Sequence, residues 1–390
     1  MAAPQDARNR GPKTEVSVMQ SPERFYSLDA LRGLAALSVV FWHWQHFFFS
    51  GTELGAFDLA RLPLHRVLHL LYTRGWEAVD LFFSLSGFIF YWLYSKRVAE
   101  RRISPQRYAL LRFSRLYPLH FATLLLVALG QYWMLREKGY YFVYPNNDIR
   151  YFVLNLLFAS SWGFEGDFSF NGPSWSVSVE VLLYALFFAY CRFLPIRVAI
   201  LVLSSLIGFF VIQDHILEVG RGVCSFFAGG CAFLAYQVII ASRRGGAITK
   251  WIVGGAIGAW GLTFLVRHLA GLILHLEPGV RRVVFETMLM WPVMVLFPLT
   301  ILALALAETQ RGTLGKRISF LGDISYSSYM LHFPLQFLFF AAITSFTVDR
   351  SIFYAPWFML LFFATLIAIS LCSFHYFELP AQRFLRQLKS

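Results

Sequence analysis

The chain has 390 residues, of which 57% are hydrophobic and only 14% charged, whereas soluble domains carry about a quarter charged residues. That much apolar surface cannot be hidden in one soluble core, so a water-soluble globular domain is excluded. A formal net charge of +12 would suit nucleic acid, but the basic residues cluster in short loops between apolar runs, which is a membrane-topology pattern; no nucleic-acid partner is expected.

Apolar runs of roughly twenty residues recur along the whole length, each long enough to cross a hydrocarbon layer of about 30 Å. They lack the period-two alternation of barrel strands, and lipid cannot satisfy a bare backbone, so each run should be a helix. The expected class is all-α, a polytopic transmembrane helical bundle. The first 27 residues contain no apolar core of a signal peptide and are expected to form a cytoplasmic tail, with 28–390 as a single membrane domain.

Ten spans are predicted, at 28–50, 76–95, 115–135, 174–192, 196–214, 221–241, 250–270, 287–307, 324–346 and 352–377. The short piece YFVLNLLFASSWGF from Tyr151 is expected to be re-entrant or interfacial. Alternating from an inside start, 22 of the 34 Lys and Arg residues fall on one side and 11 on the other, with Arg32 inside the first span. Cytoplasmic loops carry the Lys and Arg excess, so both termini are expected in the cytoplasm; a bacterial inner membrane is the expected setting. Cys191, Cys224, Cys231 and Cys372 lie in or beside apolar runs without a CxxC pair and are expected to pack, not to bridge or to bind metal.

Ionisable residues at membrane depth are expensive and mark candidate function. In the first span, SLDALRGLAALSVVFWHWQHFFF, Arg32 and His43 are eleven residues apart, about 20° in azimuth and about 16 Å in rise, and so share one stripe. Asp29 lies near that stripe, either lining a cavity or satisfying the helix start while Arg32 snorkels to lipid phosphate. His43 taken alone would be a packing histidine, and the HxxH to His46 is too few ligands for a metal site. In the second span Asp80 is a candidate to fix the tautomer of His43, with a water-contacting interfacial acid as the alternative; Ser84, Ser86 and Gly87 read as helix-packing residues. Arg112 and Arg115, at the inner end of the third span, form an anion-binding mouth with Arg32. Glu180, deep in the fourth span after a turn at NGPS, needs a partner: His43, an arginine or a sugar hydroxyl. His332, in the inner half of the ninth span, either packs or lines the cavity.

The segments SLDALRGLAALSVVFWHW, VDLFFSLSGF, RFSRLYP, WSVSVE and SYSSYMLHFP occur in this order, and with them the chain resembles the acyltransferase-3 family of membrane acyltransferases. The resemblance implies transfer of an acyl group, commonly acetyl, to hydroxyls of surface polysaccharides, oligosaccharides or macrolide sugars. It implies that Arg32 and His43 are the essential pair and that Arg112 and Arg115 are important. Longer members carry a C-terminal esterase-like domain, which is not expected here.

The expected function is therefore transfer from acyl-CoA, the donor substrate, to a hydroxyl of a cell-surface or exported glycan or a lipid-linked oligosaccharide. Arg32, Arg112 and Arg115 would hold the donor phosphates. His43 would act as general base or carry the acyl group, oriented by Asp80 or Glu180. No resident cofactor or metal is expected. A transporter or flippase using the same charges is the rival class, and a lipid or macrolide is the rival acceptor.

Overall fold

The structure, a computed structural model, describes residues 19–269, 287–346 and 349–388. Most of the expected N-terminal tail and the end of the seventh expected span lie outside the described residues. The chain is an all-α membrane bundle: seven helices are long and apolar enough to cross a membrane, within His65–Ala99, Pro105–Lys138, Gly172–Phe193, Leu217–Ala241, Gly245–His268, Thr287–Arg311 and Pro356–Gln387.

Helix α1 (Tyr26–Trp42) tightens into a 3-10 turn at His43–Phe48 and is followed by a two-residue hairpin, Phe49–Ser50 with Glu53–Leu54. Helix α2 (His65–Arg74) runs through a short turn into α3 (Ala78–Ala99). Then come α4 (Pro105–Lys138), α5 (Ile149–Leu156), α6 (Trp175–Phe193), α7 (Val198–Ile207), α8 (Leu217–Ala241) and α9 (Gly245–His268). The series closes with α10 (Thr287–Arg311), α11 (Ser325–Ser345), α12 (Pro356–Ser373) and α13 (Leu379–Gln387).

The short α5 has eight residues, too few to cross a bilayer, as expected of the Tyr151 piece. The expected fifth span is shorter than a full crossing, at Val198–Ile212. Helices α1 and α11 are not among the seven. The first has 17 residues, and the second carries Ser325, Ser327, Ser328, His332 and Gln336 along its buried side. Each turns its polar groups to the interior of the bundle, which a helix facing lipid on all sides could not do.

Two close approaches set the packing. A Cβ on Gly87 would sit 1.9 Å from Phe226 O, and one on Gly229 would sit 1.9 Å from Ser84 O, so α3 and α8 touch backbone to backbone. A Cβ on Gly322, in the one-turn helix Phe320–Asp323 before α11, would meet Asp29 O at 2.2 Å, which brings the start of α11 against α1. Pro334 within α11 has no N–H for Met330 O, and Asn171 Nδ2 supplies that bond at 3.0 Å.

The N-terminus of α1 has no cap of its own. The buried Glu308 carboxylate of α10 accepts from the backbone N–H groups of Tyr26 and Ser27, both at 2.8 Å, and from Ser27 Oγ at 2.6 Å. Replacing Glu308 by Leu strands these donors inside the bundle and should cost about 3 kcal/mol. Thermal unfolding of the detergent-solubilised protein should show a clear loss for Glu308→Leu and a smaller one for Glu308→Gln.

Candidate active site

Arg32 is held by three acceptors at the start of the α1–α11 contact: Asp29 Oδ1 at 3.0 Å, Gly322 O at 2.8 Å and, through Nε, Ser325 Oγ at 3.1 Å. Asp29 also accepts from Arg24 Nε at 2.6 Å, and Arg24 reaches Asp323 Oδ1 at 2.6 Å. Asp29 therefore fixes Arg32 instead of satisfying the helix start, which Glu308 does.

One turn-register further along, Arg112 and Arg115 of α4 enter the same cavity, which is also walled by Arg32, Ser86, Glu180, Tyr184, Tyr326 and Tyr329. Arg112 Nη2 donates to Tyr94 OH at 2.6 Å, its guanidinium lies over the Tyr94 and Phe90 rings, and its buried Nε has no partner. Among the described residues neither Arg112 nor Arg115 has a carboxylate within 4.0 Å. Neither guanidinium has a contact ion pair, although Glu180 lines the same cavity and Glu378 lies within electrostatic reach of Arg115, and the cavity has room for an anion that would make one.

His43 opens the 3-10 turn at the far end of α1. Its Nδ1 is 2.8 Å from Nε2 of His332, and Nδ1 of His332 is 2.5 Å from Tyr329 O. A carbonyl only accepts, so His332 Nδ1 carries the hydrogen and its Nε2 offers a lone pair. His43 Nδ1 then donates, and His43 Nε2 is left as a lone pair with no partner among the described residues. The main chain of His43 is fixed as well: Gln336 Nε2 donates to His43 O at 2.9 Å, while Gln336 Oε1 accepts from His46 Nδ1 at 3.1 Å. His46 and His332 are buried, but His43 is only partly so. The His43 ring lies nearly parallel to those of His46 and His332, with centroids 4.7 Å and 5.0 Å apart and planes 22° and 10° apart.

Two expectations are corrected. Asp80 does not reach His43: both its oxygens hold Arg221, at 3.2 and 3.0 Å, and that guanidinium is sandwiched between Trp76 and Trp175. Glu180 does not reach His43 either, since Oε1 accepts from Ser86 Oγ at 2.6 Å and Tyr184 OH at 2.5 Å. The partner of His43 is His332. Helices α1 and α11 run side by side in the same direction, which brings His332 to the level of His43. Ser86 is a cavity residue and not only a packing one. The sequence did not single out Arg24, Tyr184, Arg221 or Gln336; Gln336 was detectable as the residue one helical turn after His332.

These features define a membrane-embedded helical protein with a poised histidine beyond an arginine-lined cavity. The acyltransferase domain of the acyltransferase-3 family matches residues 25–375, and the chain belongs to that family. It is similar to "Protein 2 in picA locus" of Rhizobium radiobacter, at 40% identity over 107 residues, covering 27% of this chain and 46% of the relative. It is also similar to "Acyltransferase MdmB" of Streptomyces mycarofaciens, at 32% identity over 181 residues, 45% of this chain and 42% of the relative. The chain thus spans less than half the length of these curated relatives. No solved structure matches.

Because Asp80 is spent on Arg221, Asp80→Ala should leave a buried, unpaired guanidinium and cost on the order of 3–5 kcal/mol of stability. The double substitution Asp80→Leu with Arg221→Met should recover much of it. Unfolding midpoints of the two variants check this; an orienting role for Asp80 would instead lower activity at unchanged stability.

Proposed function

We propose that the protein transfers an acyl group, acetyl in the first instance, from acyl-CoA to a hydroxyl of a cell-surface or exported glycan at a bacterial inner membrane. The observation that carries this is a single histidine nitrogen, His43 Nε2, left as a free lone pair by the hydrogen bond to His332, in a family of acyltransferases.

The donor's phosphates sit against Arg112 and Arg115 with Arg32 beside them, and the pantetheine arm runs along the α1–α11 contact. Arg32 to His43 is a rise of about 16 Å, which the extended arm matches. His43 Nε2 takes the proton of the acceptor hydroxyl as its oxygen attacks the thioester carbonyl. The new C–O bond forms, the C–S bond breaks, and the leaving thiolate takes the proton back from His43, so the imidazole ends neutral. His332 keeps His43 in the tautomer this needs, the part a carboxylate plays in a catalytic triad. A glycan acceptor agrees with the distance of His43 from the arginine mouth, which lets donor and acceptor enter from opposite ends.

Acyl transfer from labelled acetyl-CoA into envelope glycan should occur with wild-type membranes and fall at least about 10²-fold for His43→Ala at equal protein levels. His332→Ala should lower kcat on the order of 10²-fold with little change in KM for the donor, because it loses the tautomer and not the binding site. Equal label from wild type and His43→Ala would overturn the reading, and transport of glycan without consumption of acetyl-CoA would replace it with a flippase.

A further inference from the structure

Helix α13 lies beyond the residues matched by the family and beyond the expected spans, yet it walls the open end of the arginine cavity. Its two faces differ. Gln382 and Arg386, one turn apart, face the mouth, while Phe384 and Leu388 are more than half exposed on the other side. Helix α13 continues α12 through the π turn Phe374–Glu378, and its polar face is the one that meets the mouth.

The charges at the mouth do not cancel. Arg24, Arg32, Arg112, Arg115 and Arg386 line it, together with Glu23, Asp29, Asp323 and Glu378. Asp29 is held by Arg24 and Arg32 and Asp323 by Arg24, while Glu378, which accepts from Ser327 and Ser373, keeps its charge within electrostatic reach of Arg115. Arg386 is positioned by neutral groups, Ser114 Oγ and Gln382 Oε1, each at 3.1 Å. Among the described residues Arg112, Arg115 and Arg386 therefore surround one opening without a carboxylate within 4.0 Å. Three guanidinium groups facing one opening, none in contact with a carboxylate, are suited to an anion with more than one charged group.

Depth orders the three. Arg112 and Arg115 line both the inner cavity and the mouth, whereas Arg386 lines the mouth alone. A coenzyme A thioester with its reactive end toward His43 presents its diphosphate first and its 3′-phosphate last. We propose that α13 is the outer wall of the donor site and that Arg386 binds the 3′-phosphate of the nucleotide, so that this chain distinguishes coenzyme A from its 3′-dephospho form. This rests on acyl-CoA being the donor.

The test is binding of coenzyme A and of 3′-dephospho-coenzyme A to the detergent-purified protein by calorimetry, for wild type, Arg386→Ala and Arg386→Lys. Wild type should prefer coenzyme A by about tenfold, the effect of one charge-assisted hydrogen bond. Arg386→Ala should erase that preference by weakening coenzyme A alone, and Arg386→Lys should keep part of it. An equal preference in wild type and Arg386→Ala, including a parallel loss of both ligands as a purely structural wall would give, overturns the proposal. If Arg386→Ala instead alters only stabilisation by added phosphatidylglycerol, the anion is a lipid headgroup and the proposal also fails. No binding of either nucleotide by wild type would remove the acyl-CoA donor itself, an outcome distinct from loss of the 3′-phosphate preference.

Discussion

The parallel apposition of α1 and α11 is the contact on which the rest of the site depends. At one end Arg32 is tied to Gly322 O and Ser325 Oγ; at the other His43 is tied to His332 and, through its carbonyl, to Gln336. From Arg32 to His43 and from Ser325 to Gln336 the chain advances by the same number of residues, so the two helices keep register over that stretch. Neither could do this facing lipid, because every one of these groups would lose its partner. The small Gly322 against Asp29 lets the helices meet at the arginine end, and Asn171, filling the bond that Pro334 leaves open, steadies α11 beside His332.

Most buried charge in the bundle is consumed by structure. Glu308 ends α1, Asp80 holds Arg221, Glu77 holds Arg267 at 2.6 Å, and Asp29 ties Arg24 to Arg32. Buried ion pairs of this sort are costly to break and of modest net worth when intact, so they specify arrangement more than they add stability. Against that background the groups left without a partner stand out. Among the described residues Arg112 and Arg115 have no carboxylate within 4.0 Å, and His43 Nε2 has no hydrogen-bond partner. Among groups so largely engaged by the protein itself, these are the ones open to something that arrives from outside.

The sequence showed this division only in part. Composition and run length were enough for an all-α membrane bundle, because bilayer thickness imposes itself on every crossing helix, and the eight-residue α5 was legible as too short for the same reason. The stripe joining Arg32 and His43 was legible because both lie on one helix, where spacing converts directly to geometry. The partners of those residues were not. Asp80 looked like a triad acid by depth alone, but depth does not fix azimuth, and the α3–α8 backbone contact turns it toward Arg221. His332 is brought to His43 by the relative direction of two helices separated by nearly three hundred residues, and no local periodicity encodes that. Arg386 was absorbed into the basic residues expected after a last span, since positive-inside topology accounts for an arginine there whether or not it faces a cavity.

The end of the histidine relay bears on the proposed chemistry. In a catalytic triad the outer group is a carboxylate, which both fixes the tautomer and stabilises the imidazolium that forms. Here the relay ends on Tyr329 O, which fixes the tautomer but brings no negative charge. An imidazolium at His43 would therefore be poorly stabilised within the bundle. That is tolerable if the cation never accumulates, and a thioester makes this possible: its thiolate is a good leaving group and a ready acceptor for the proton just taken from the hydroxyl. An oxygen ester donor, whose alkoxide leaves with difficulty, would hold the proton on His43 for longer and would need the missing carboxylate. A relay of two histidines closed by a carbonyl is thus suited to a donor that is already activated, as the thioester of the proposed donor is.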